Sequence, residues 1–513
     1  MSFLKAPEGN EAIDVMLLLE GTYPYVHGGV SSWVQQLIRG LPSLRFGVVF
    51  LGSRRADYHD VRYEFPANLV CVEEHFLMEQ WQHERVQPGR GNAEAFQQSD
   101  RLHQALREPD TVDFKASLAD FAKLLRDDGA GLSREDFLYG ERSWQQIGDY
   151  YTRYCSDPSF VDYFWTVRTM HAPLFDLIEI ARHLPKARML HAISTGYAGF
   201  LGALAHQMHG TPLAITEHGI YTKERRIDLA QAEWIRDARN ALESSLRQDI
   251  SYVRQLWIRF FEGLGRMSYR SATQITALYD GNRERQIADG APADRTRVIP
   301  NGIELARYRP LRAQRPPEIP QVIGLIGRVT PIKDIKTFIR SMRTVHANLP
   351  QAEAWIVGPT DEDELYYQDC ASLVDDLGLG DCVKFLGYQD VRDILPKLGL
   401  LVLSSISEAQ PLVVLEAFAA GVPVVTTDVG SCAALVHGAD DDDRASGSAG
   451  ATVSIANPQA LADAMIGLLI DAPRWQAAQA AAIARVEMMY GEDLMLERYQ
   501  ALYGDLVATE EVH

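Results

Sequence analysis

The sequence predicts an α/β protein with two domains, each built on a doubly wound parallel sheet of the Rossmann-like kind. Its 513 residues exceed one ordinary domain, since domains average about 150 residues. Short apolar runs alternate with helical patterns in two series, which place an N-terminal domain over residues 1–305 and a C-terminal domain over 321–472. The interval between them, residues 306–320, is rich in proline and arginine and is predicted to be a linker.

Composition and charge narrow the class of protein further. Hydrophobic residues make up 46% and charged residues 23%, as in folded globular proteins. The net charge of -19 would repel a phosphate backbone, so no nucleic-acid partner is expected. The first fifteen residues carry acids and a proline, and the chain has no apolar run of about 18 residues, which favours a cytoplasmic protein. The five cysteines are scattered and form no CxxC pair, so we expect reduced thiols.

The N-terminal domain opens with a strand, a glycine loop, a helix and a second strand. The strand DVMLLLE covers residues 14–20, and the loop that follows it leads into the helical pattern WVQQLIRGLP at 33–42. Ser31 or Ser32 is predicted to cap that helix. In such a domain any ligand is expected outside the carboxyl ends of the strands.

A helical insertion is predicted over about residues 54–185 of the N-terminal domain. This stretch is polar, aromatic-rich and favours helices, and no strand is predicted between Cys71 and Arg182. The alternation of strands and helices resumes afterwards, with a long charged helix predicted across about 223–265. The insertion therefore interrupts the sheet in sequence.

The C-terminal domain shows five apolar runs, each followed by a helical segment, which predicts a sheet of five or six parallel strands. The runs are VIGLIG at 322–327, AEAWIVG at 352–358, CVKFLG at 382–387, LLVLSS at 400–405 and VPVVTT at 422–427. Residues 473–513 are predicted to be helical and to pack back on the N-terminal domain.

Two loops offer groups that favour an anion. Gly28 and Gly29 would let the backbone approach a ligand, beside the amino end of a helix, although a plain structural turn fits equally well. Arg328 leaves the strand VIGLIG and Lys333 follows five residues later, so both cations can converge on an anion such as a diphosphate. The alternative is that both are solvated surface charges.

Two acids lie in an otherwise apolar stretch after the strand LLVLSS. Glu408 is predicted in the loop, and Glu416 in a helix that starts near Pro411 and ends at Gly421. The two carboxylates would then reach different parts of one ligand. Two exposed acids on a surface helix fit poorly, because the residues between them leave little polar face.

Other polar residues were weighed as ligands. His218 stands just past a buried strand of the N-terminal domain, where it would either face a ligand or serve as a hydrogen-bonded structural residue. The acidic runs at 361–363 and 440–443 could hold a divalent cation, but solvated charge is the favoured interpretation. No metal-binding residues are therefore predicted.

Three stretches together resemble the retaining glycosyltransferases of family 4, which have the GT-B fold. They are the Gly28–Gly29 pair after the first strand, GRVTPIKD at 327–334 and SEAQPLVVLEAFAAGVPVV at 407–425. Glu408 and Glu416 follow that family's E-x7-E motif. The resemblance implies two Rossmann-like domains that face each other across a cleft. It also implies retaining transfer of a hexosyl unit from a nucleotide sugar, typically a UDP-sugar, to a growing exopolysaccharide.

The resemblance also assigns roles to individual residues. It makes His218 and Glu408 the catalytic pair, with His218 near the reacting sugar and Glu408 in contact with it. The donor-binding residues that it implies are Gly28, Gly29, Arg328, Lys333, Gln410, Leu412 and Glu416. Arg328 and Lys333 would bind the diphosphate, Glu416 the ribose hydroxyls, and the backbone around Gln410 and Leu412 the sugar and phosphate.

The resemblance also implies binding partners, and the sequence departs from the family pattern at one motif. The resemblance implies an oligosaccharide acceptor, no cofactor and no essential metal, and an inner-membrane polysaccharide-export complex is a further expected partner. The family often has Glu-x-Phe-Gly where this chain has Glu408-Ala-Gln-Pro411, and Pro411 removes one backbone donor. A nucleotide-sugar epimerase, a phosphorylase or a non-catalytic docking subunit on the same fold remain alternatives.

Overall fold

The computed structural model describes residues 13–79, 89–107, 131–155, 159–231 and 251–510. The chain separates into two compact units. The first holds the described residues up to Ala277, then Arg283–Val298 and the residues from Gln500. The second holds Leu278–Asn282 and Ile299–Tyr499.

The first unit is built on a seven-stranded parallel sheet in the order β3-β2-β1-β4-β5-β6-β7. Its strands are β1 (Ile13–Glu20), β2 (Phe46–Gly52), β3 (Leu69–Phe76), β4 (Ala187–Ala192), β5 (Leu213–Glu217), β6 (Gln274–Ala277) and β7 (Thr296–Val298). The apolar runs predicted as strands become central strands because both of their faces are covered. In register, Leu17 of β1 lies beside Val48 on one side and His191 on the other.

Helices cover this sheet. They are α1 (Gly29–Gly40), α2 (Ala93–Arg107), α3 (Arg134–Tyr139), α4 (Glu141–Tyr154), α5 (Phe160–His183), α6 (Tyr197–His209), α7 (Tyr221–Gln231), α8 (Tyr252–Ser271) and α9 (Asp280–Ala288). The charged helix predicted across 223–265 corresponds to parts of α7 and α8, and its middle lies outside the described residues. Short 3-10 turns occupy Arg55–Asp57 and Ala293–Arg295.

The predicted insertion needs one correction. Strand β3 lies inside it, where residues 69–76 pair with β2 and form one edge of the sheet. The helices that follow also contribute to the main core, since Leu102, Met170 and Leu177 belong to the same buried cluster as the sheet residues. The prediction missed β3 because Glu73, Glu74 and His75 break its apolar pattern.

The start of α1 also differs from the prediction. The helix begins at Gly29, with Gly28 in an extended conformation just before it and no side chain capping its end. Ser31 is buried inside the helix, so neither Ser31 nor Ser32 is its cap. The predicted cap was wrong because glycine can also occupy the cap position.

The second unit is built on a six-stranded parallel sheet in the order β10-β9-β8-β11-β12-β13, as the apolar runs predicted. Its strands are β8 (Val322–Ile326), β9 (Glu353–Val357), β10 (Val383–Gly387), β11 (Leu400–Leu403), β12 (Val424–Thr427) and β13 (Gly450–Val453). Strand β8 pairs with β9 on one side and with β11 on the other, which places the loops after β8 and β11 side by side.

The helices of this unit vary from one turn to five. They are α10 (Leu305–Tyr308), α11 (Ile335–Asn348), α12 (Glu364–Asp376), α13 (Val391–Ile394), α14 (Leu412–Ala419), α15 (Cys432–His437), α16 (Asp441–Arg444), α17 (Pro458–Leu469), α18 (Ala472–Met489) and α19 (Glu492–Glu510). Further 3-10 turns lie at Arg309–Gln314, Pro331–Lys333 and Leu395–Lys397.

Residues 306–320 belong to the second unit and are not the linker between domains that their composition predicted. Tyr308 and Leu311 are buried in the core of the second unit. Arg315 donates to the backbone oxygens of Leu395 and Leu398. The arginines suggested a solvated segment, but the Arg315 guanidinium forms hydrogen bonds with carbonyl groups of buried residues.

The C-terminal helices divide between the two units. Helix α18 packs within the second unit, where Trp475 Nε1 donates to Gly399 O. From Gln500 onward the chain belongs to the first unit, and the Tyr503 hydroxyl lies 2.8 Å from His191 Nδ1. Only the second half of α19 therefore joins the first unit, whereas the whole of 473–513 was predicted to do so.

Two further predictions can be compared with the structure. All five cysteines lie in the described ranges and none of them forms a disulfide, as their spacing indicated. Within the described ranges, no helix is long and apolar enough to cross a membrane.

Candidate functional site

The loops after β8 and β11 bring together two of the predicted residues. Lys333 ends a 3-10 turn after β8, and Glu408 lies in the loop between β11 and α14. Lys333 Nζ lies 2.5 Å from Glu408 Oε1, and both side chains are largely buried. The pairing of β8 with β11 thus joins a cation and a carboxylate that are 75 residues apart in sequence.

Hydrogen bonds hold this ion pair in place. Ser405 Oγ donates to Glu408 Oε1 over 2.7 Å, so the same oxygen accepts from two partners. Ser404 Oγ donates to Lys333 O, which ties the two loops together. Thr427 Oγ1 donates to the Ser405 backbone oxygen from the end of β12. No sequence motif assigned a role to these hydroxyl residues, although their place at strand ends is a signal that could have found them.

Arg328 lies beside this pair but has a different partner. Its Nη1 lies 2.5 Å from Glu362 Oε1, and 56% of its side chain is exposed. A Cβ on the preceding residue, Gly327, would lie 3.5 Å from Lys333 Cε. The lysine side chain therefore packs close to the backbone just before Arg328. Glu362 belongs to the acidic run at 361–363, and its carboxylate neutralises Arg328.

Glu416 lies inside α14 and is bonded to a residue that the sequence analysis left in the linker. The Tyr308 hydroxyl donates to Glu416 Oε1 over 2.9 Å. Burial raises the pKa of Glu416, while the Tyr308 hydrogen bond and nearby Arg307 lower it. Burial and the neighbouring Glu416 also raise the pKa of Tyr308, so the phenol remains a donor at neutral pH. No local sequence pattern links residues 308 and 416.

The Gln410 side chain holds the loop between the two acids. Its Oε1 accepts from Asn301 N over 2.7 Å, and the expected backbone contacts around Gln410 stay a prediction. Leu412 opens α14, and first-turn N–H groups of a helix have no partner within the helix. Pro411 precedes the helix, where its missing N–H costs no helical hydrogen bond.

A glycine fixes the same loop from the opposite side. Gly430 has φ of +57°, and a Cβ there would lie 2.3 Å from Glu408 O. Ser431 N donates to Ala409 O over 2.8 Å. Any side chain at position 430 would therefore push the Glu408 backbone away.

His218 lies in the first unit, just after β5, where the sequence placed it. Its ring makes an edge contact with Trp33 of α1 at 4.7 Å between centroids. His218 Nε2 is buried and finds no hydrogen-bond partner in the described part of the chain. Burial lowers the pKa of His218 to about 4, so the ring is neutral at pH 7. A neutral imidazole with one uncommitted nitrogen can bind a hydroxyl group.

The residue before His218 anchors this strand end and was missed by the sequence analysis. Glu217 is buried and accepts from Thr195 Oγ1, Gln286 Nε2 and the hydroxyl of Tyr269. The Tyr221 N–H, from the start of α7, donates to the same carboxylate. Burial raises the pKa of Glu217, whereas these donors lower it. Its partners come from distant segments, so the sequence shows only an acid beside a histidine.

The glycine pair lies in the same unit at the start of α1. A Cβ at Gly28 or Gly29 would meet no atom within 4 Å. The fold therefore does not require glycine there for space, and Gly28 is extended with φ of 172°. The structure keeps open the prediction that the pair lets a ligand approach the backbone.

The described residues hold no group of three or more His, Cys, Asp or Glu side chains that could bind a metal ion. The run at 440–443 instead caps α16 through Asp440 and pairs Asp443 with Arg485. The expectation that no metal is essential stays a prediction.

Comparison with known proteins places the chain in a family. Residues 13–294, more than half of the chain, match the family model of a domain of unknown function, DUF3492. The chain belongs to the DUF3492 family. Residues 320–471 of this DUF3492 protein match a second model, described as glycosyl transferases group 1, and that match contains Arg328, Lys333, Glu408 and Glu416.

A curated relative matches part of the DUF3492 chain. The lipopolysaccharide core biosynthesis mannosyltransferase LpsB of Rhizobium meliloti (strain 1021) is 28% identical over 219 residues. This match covers 41% of the DUF3492 chain and 61% of LpsB. The chain thus spans less than two thirds of the length of this relative.

Solved structures share the fold over nearly the whole DUF3492 chain. HepE from Anabaena, in complex with UDP and glucose, has a TM-score of 0.55 at 16% identity and covers 96% of this chain and 100% of its own. Sucrose-phosphate synthase from Thermosynechococcus elongatus has a TM-score of 0.58 at 17% identity, with coverages of 97% and 100%. The predicted fold class, GT-B with two Rossmann-like parallel-sheet domains, is confirmed.

Proposed function

We propose that this chain is a retaining glycosyltransferase that moves a hexosyl unit from a UDP-sugar to a growing exopolysaccharide. The observation that carries the proposal is the Lys333–Glu408 pair at the adjoining carboxyl ends of β8 and β11. This is where a doubly wound sheet binds its ligand. The pair also lies within the residues that match glycosyl transferases group 1.

Lys333 and Arg328 are the proposed diphosphate ligands. Negative charge develops on the nucleotide diphosphate as the bond to the sugar breaks, and a fixed cation lowers the energy of that charge. Lys333 is held by Glu408 and largely buried, so its charge is already in place before the donor binds. Arg328 is exposed and must exchange its contact with Glu362 for the phosphate.

The proposed sugar and ribose ligands are the two acids. Glu408 uses Oε1 for Lys333 and Ser405, and its second oxygen is proposed to accept from a hydroxyl of the transferred sugar. The amino end of α14, from Leu412, adds N–H groups and a positive dipole end for the phosphate. Glu416 is proposed to bind the ribose hydroxyls.

His218 is the proposed catalytic residue of the first unit. A neutral imidazole can hold a sugar hydroxyl without adding positive charge beside the oxocarbenium-like centre that forms during transfer. Gly28 and Gly29 are proposed to close over the diphosphate. Retention of the anomeric configuration is part of the proposal and would be read from the product.

The donor and acceptor are proposed from likeness alone. HepE was solved with UDP and glucose, and LpsB is named a mannosyltransferase, so the family of folds supports a UDP donor without fixing the sugar. The chain also resembles PelF, the cytosolic glycosyltransferase of Pel exopolysaccharide synthesis. We therefore propose a Pel-type polymer of the biofilm matrix as the product, made at the cytoplasmic face of the membrane.

The experiment is a donor screen with purified protein. Incubation with a panel of UDP-sugars and an oligosaccharide acceptor should release UDP with at least one of them. Arg328→Ala and Glu416→Ala should each lower kcat/KM by about tenfold or more, since each loses a charge-assisted contact of roughly 1.5–3 kcal/mol. Arg444→Ala is the matched control, because Arg444 is equally exposed and pairs with Asp441 of its own helix, α16.

Two results would contradict the proposal. One is the lack of turnover with every donor tested. The other is a wild-type level of UDP binding in both the Arg328 and the Glu416 variants, which would mean that the nucleotide binds elsewhere.

A further inference from the structure

Tyr308 reaches the proposed ribose site from a segment whose composition predicts a linker. It ends the short helix α10, 7% of it is exposed, and its ring belongs to the same core cluster as Val414 and Leu415 of α14. Its hydroxyl donates to Glu416 Oε1 over 2.9 Å. The ring is thus fixed by packing, and the hydroxyl is aimed at one carboxylate oxygen.

We propose that Tyr308 is a positioning residue that keeps the Glu416 carboxylate ionised and oriented toward the ribose hydroxyls of the donor. This inference rests on the proposed function. It adds a residue to the site whose action is indirect, because Tyr308 works through Glu416.

The geometry explains how the hydroxyl would act. An ionised carboxylate offers about four acceptor positions, and Tyr308 occupies one of them on Oε1. The remaining positions suit a pair of vicinal hydroxyls, which donate and need an ionised partner. Val414, Leu415 and Ala417 are fully buried, so α14 cannot rotate, and Tyr308 removes the remaining freedom of the side chain.

The charges around Glu416 oppose one another. Burial favours its neutral form, and Asp390, before α13, does the same. The Tyr308 hydrogen bond and Arg307, both on α10, favour the carboxylate. Arg392 faces Tyr308 and is itself paired with Asp390. Removal of the hydroxyl therefore shifts the balance toward a protonated Glu416.

The test uses Tyr308→Phe, which keeps the ring and removes the hydroxyl. Binding of UDP and of 2′,3′-dideoxy-UDP is measured by calorimetry at pH 6.5 and pH 8.5. The variant should bind UDP more weakly at pH 6.5, because loss of the Tyr308 hydrogen bond raises the pKa of Glu416. A rise of about one unit lowers the ionised fraction by at most about tenfold, which sets the largest loss expected. The loss should shrink at pH 8.5 and should be absent for the dideoxy nucleotide, which has no hydroxyl to offer.

Tyr490→Phe is the control. Tyr490 is buried in the same core cluster, and Glu416 is not among the groups that shift its pKa. It should bind both nucleotides like wild type at both pH values. If Tyr308→Phe does not fold, Glu416→Gln in its place should lose both the pH dependence and the preference for UDP over the dideoxy nucleotide.

Three outcomes would overturn the inference. Equal UDP affinity of wild type and Tyr308→Phe at both pH values would show that the hydroxyl is idle. An equal loss for both nucleotides would show a merely structural role. In the fallback variant, a retained pH dependence would show that another group titrates. Failure of the proposed function is read separately, because wild type would then bind no UDP.

Discussion

At the scale of single residues, the acidic run at 440–443 shows how a local pattern misleads. Such runs are usually solvated, yet Asp443 is buried and lies 2.6 Å from Arg485, which is fully buried. Arg485 also donates to the backbone oxygens of Leu435, Val436 and Gly447. One carboxylate of the run therefore neutralises an arginine that holds two backbone segments, the end of α15 and the loop before β13.

Replacement of Asp443 by alanine should lower the free energy of unfolding of the second unit by about 3 kcal/mol, because an unpaired charge would remain buried. Asp442→Ala is the matched control, since Asp442 is exposed and adjacent. Chemical denaturation of both variants measures the difference. Similar free energies for the two variants would mean that the Arg485 charge is relieved by water.

The loop positions of Lys333 and Glu408 could be predicted, because each residue follows an apolar run that forms a strand. Their contact through the parallel pairing of β8 with β11 was not predicted, and their roles as ligands stay predictions. Tyr308 and Ser405 were missed because their roles depend on contacts that the sequence does not encode locally. No sequence motif marks a hydroxyl group that forms a hydrogen bond with a site carboxylate, so such residues are found only once the fold is known.

At the scale of elements, strands were predicted best where both faces are buried. The continuous apolar runs of β1 and β8 were enough by themselves to predict the strands. The edge strand β3 was missed because Glu73, Glu74 and His75 break its apolar pattern. The segment 306–320 was predicted to be a linker because its arginines and prolines outweigh its two buried residues, Tyr308 and Leu311. Both errors concern segments whose role depends on a neighbour across the sheet or core.

Helix α5 of the insertion has two faces with different tasks. Leu177 is fully buried in the core of the first unit, while Trp165 is 54% exposed. Leu177→Ala should lower the free energy of unfolding by about 2–5 kcal/mol through a cavity, whereas Trp165→Ala should change it by less than about 0.5 kcal/mol. Denaturation curves of the two variants compare the faces. Equal losses would mean that the exposed tryptophan is part of the core.

Two tryptophans on the helices of the insertion provide a test of the polysaccharide-export partner that the family resemblance leads us to expect. Trp144 and Trp165 are both more than half exposed, which is unusual for such large side chains. The double alanine variant should keep donor turnover and lose co-sedimentation with membranes that contain the complex. The stable Trp165→Ala variant makes this readout independent of folding, and undiminished co-sedimentation would exclude this face.

At the scale of the whole molecule, buried histidines couple folding to pH. Burial lowers the pKa of His171 and of His191 to about 3, and that of His218 to about 4. The unfolded chain takes up these protons at about pH 6.5, whereas the folded chain resists them. Below pH 6.5 the unfolded state therefore binds more protons, and stability falls with falling pH until the folded pKa is reached.

His191 isolates this effect because it lies in the centre of the first sheet, between Thr216 Oγ1 and the Tyr503 hydroxyl. His191→Gln should be less stable than wild type at pH 7, since the amide fits these two partners less well. Between pH 7 and pH 5 that deficit should shrink by about 2 kcal/mol. Glutamine has no proton to gain, whereas His191 lowers the free energy of unfolding of wild type by about 1.4 kcal/mol per pH unit below 6.5. His59→Gln, at an exposed position, should follow wild type throughout. A constant deficit from pH 7 to pH 5 would mean that the folded protein accepts the proton on His191, and the acid sensitivity would then have another origin.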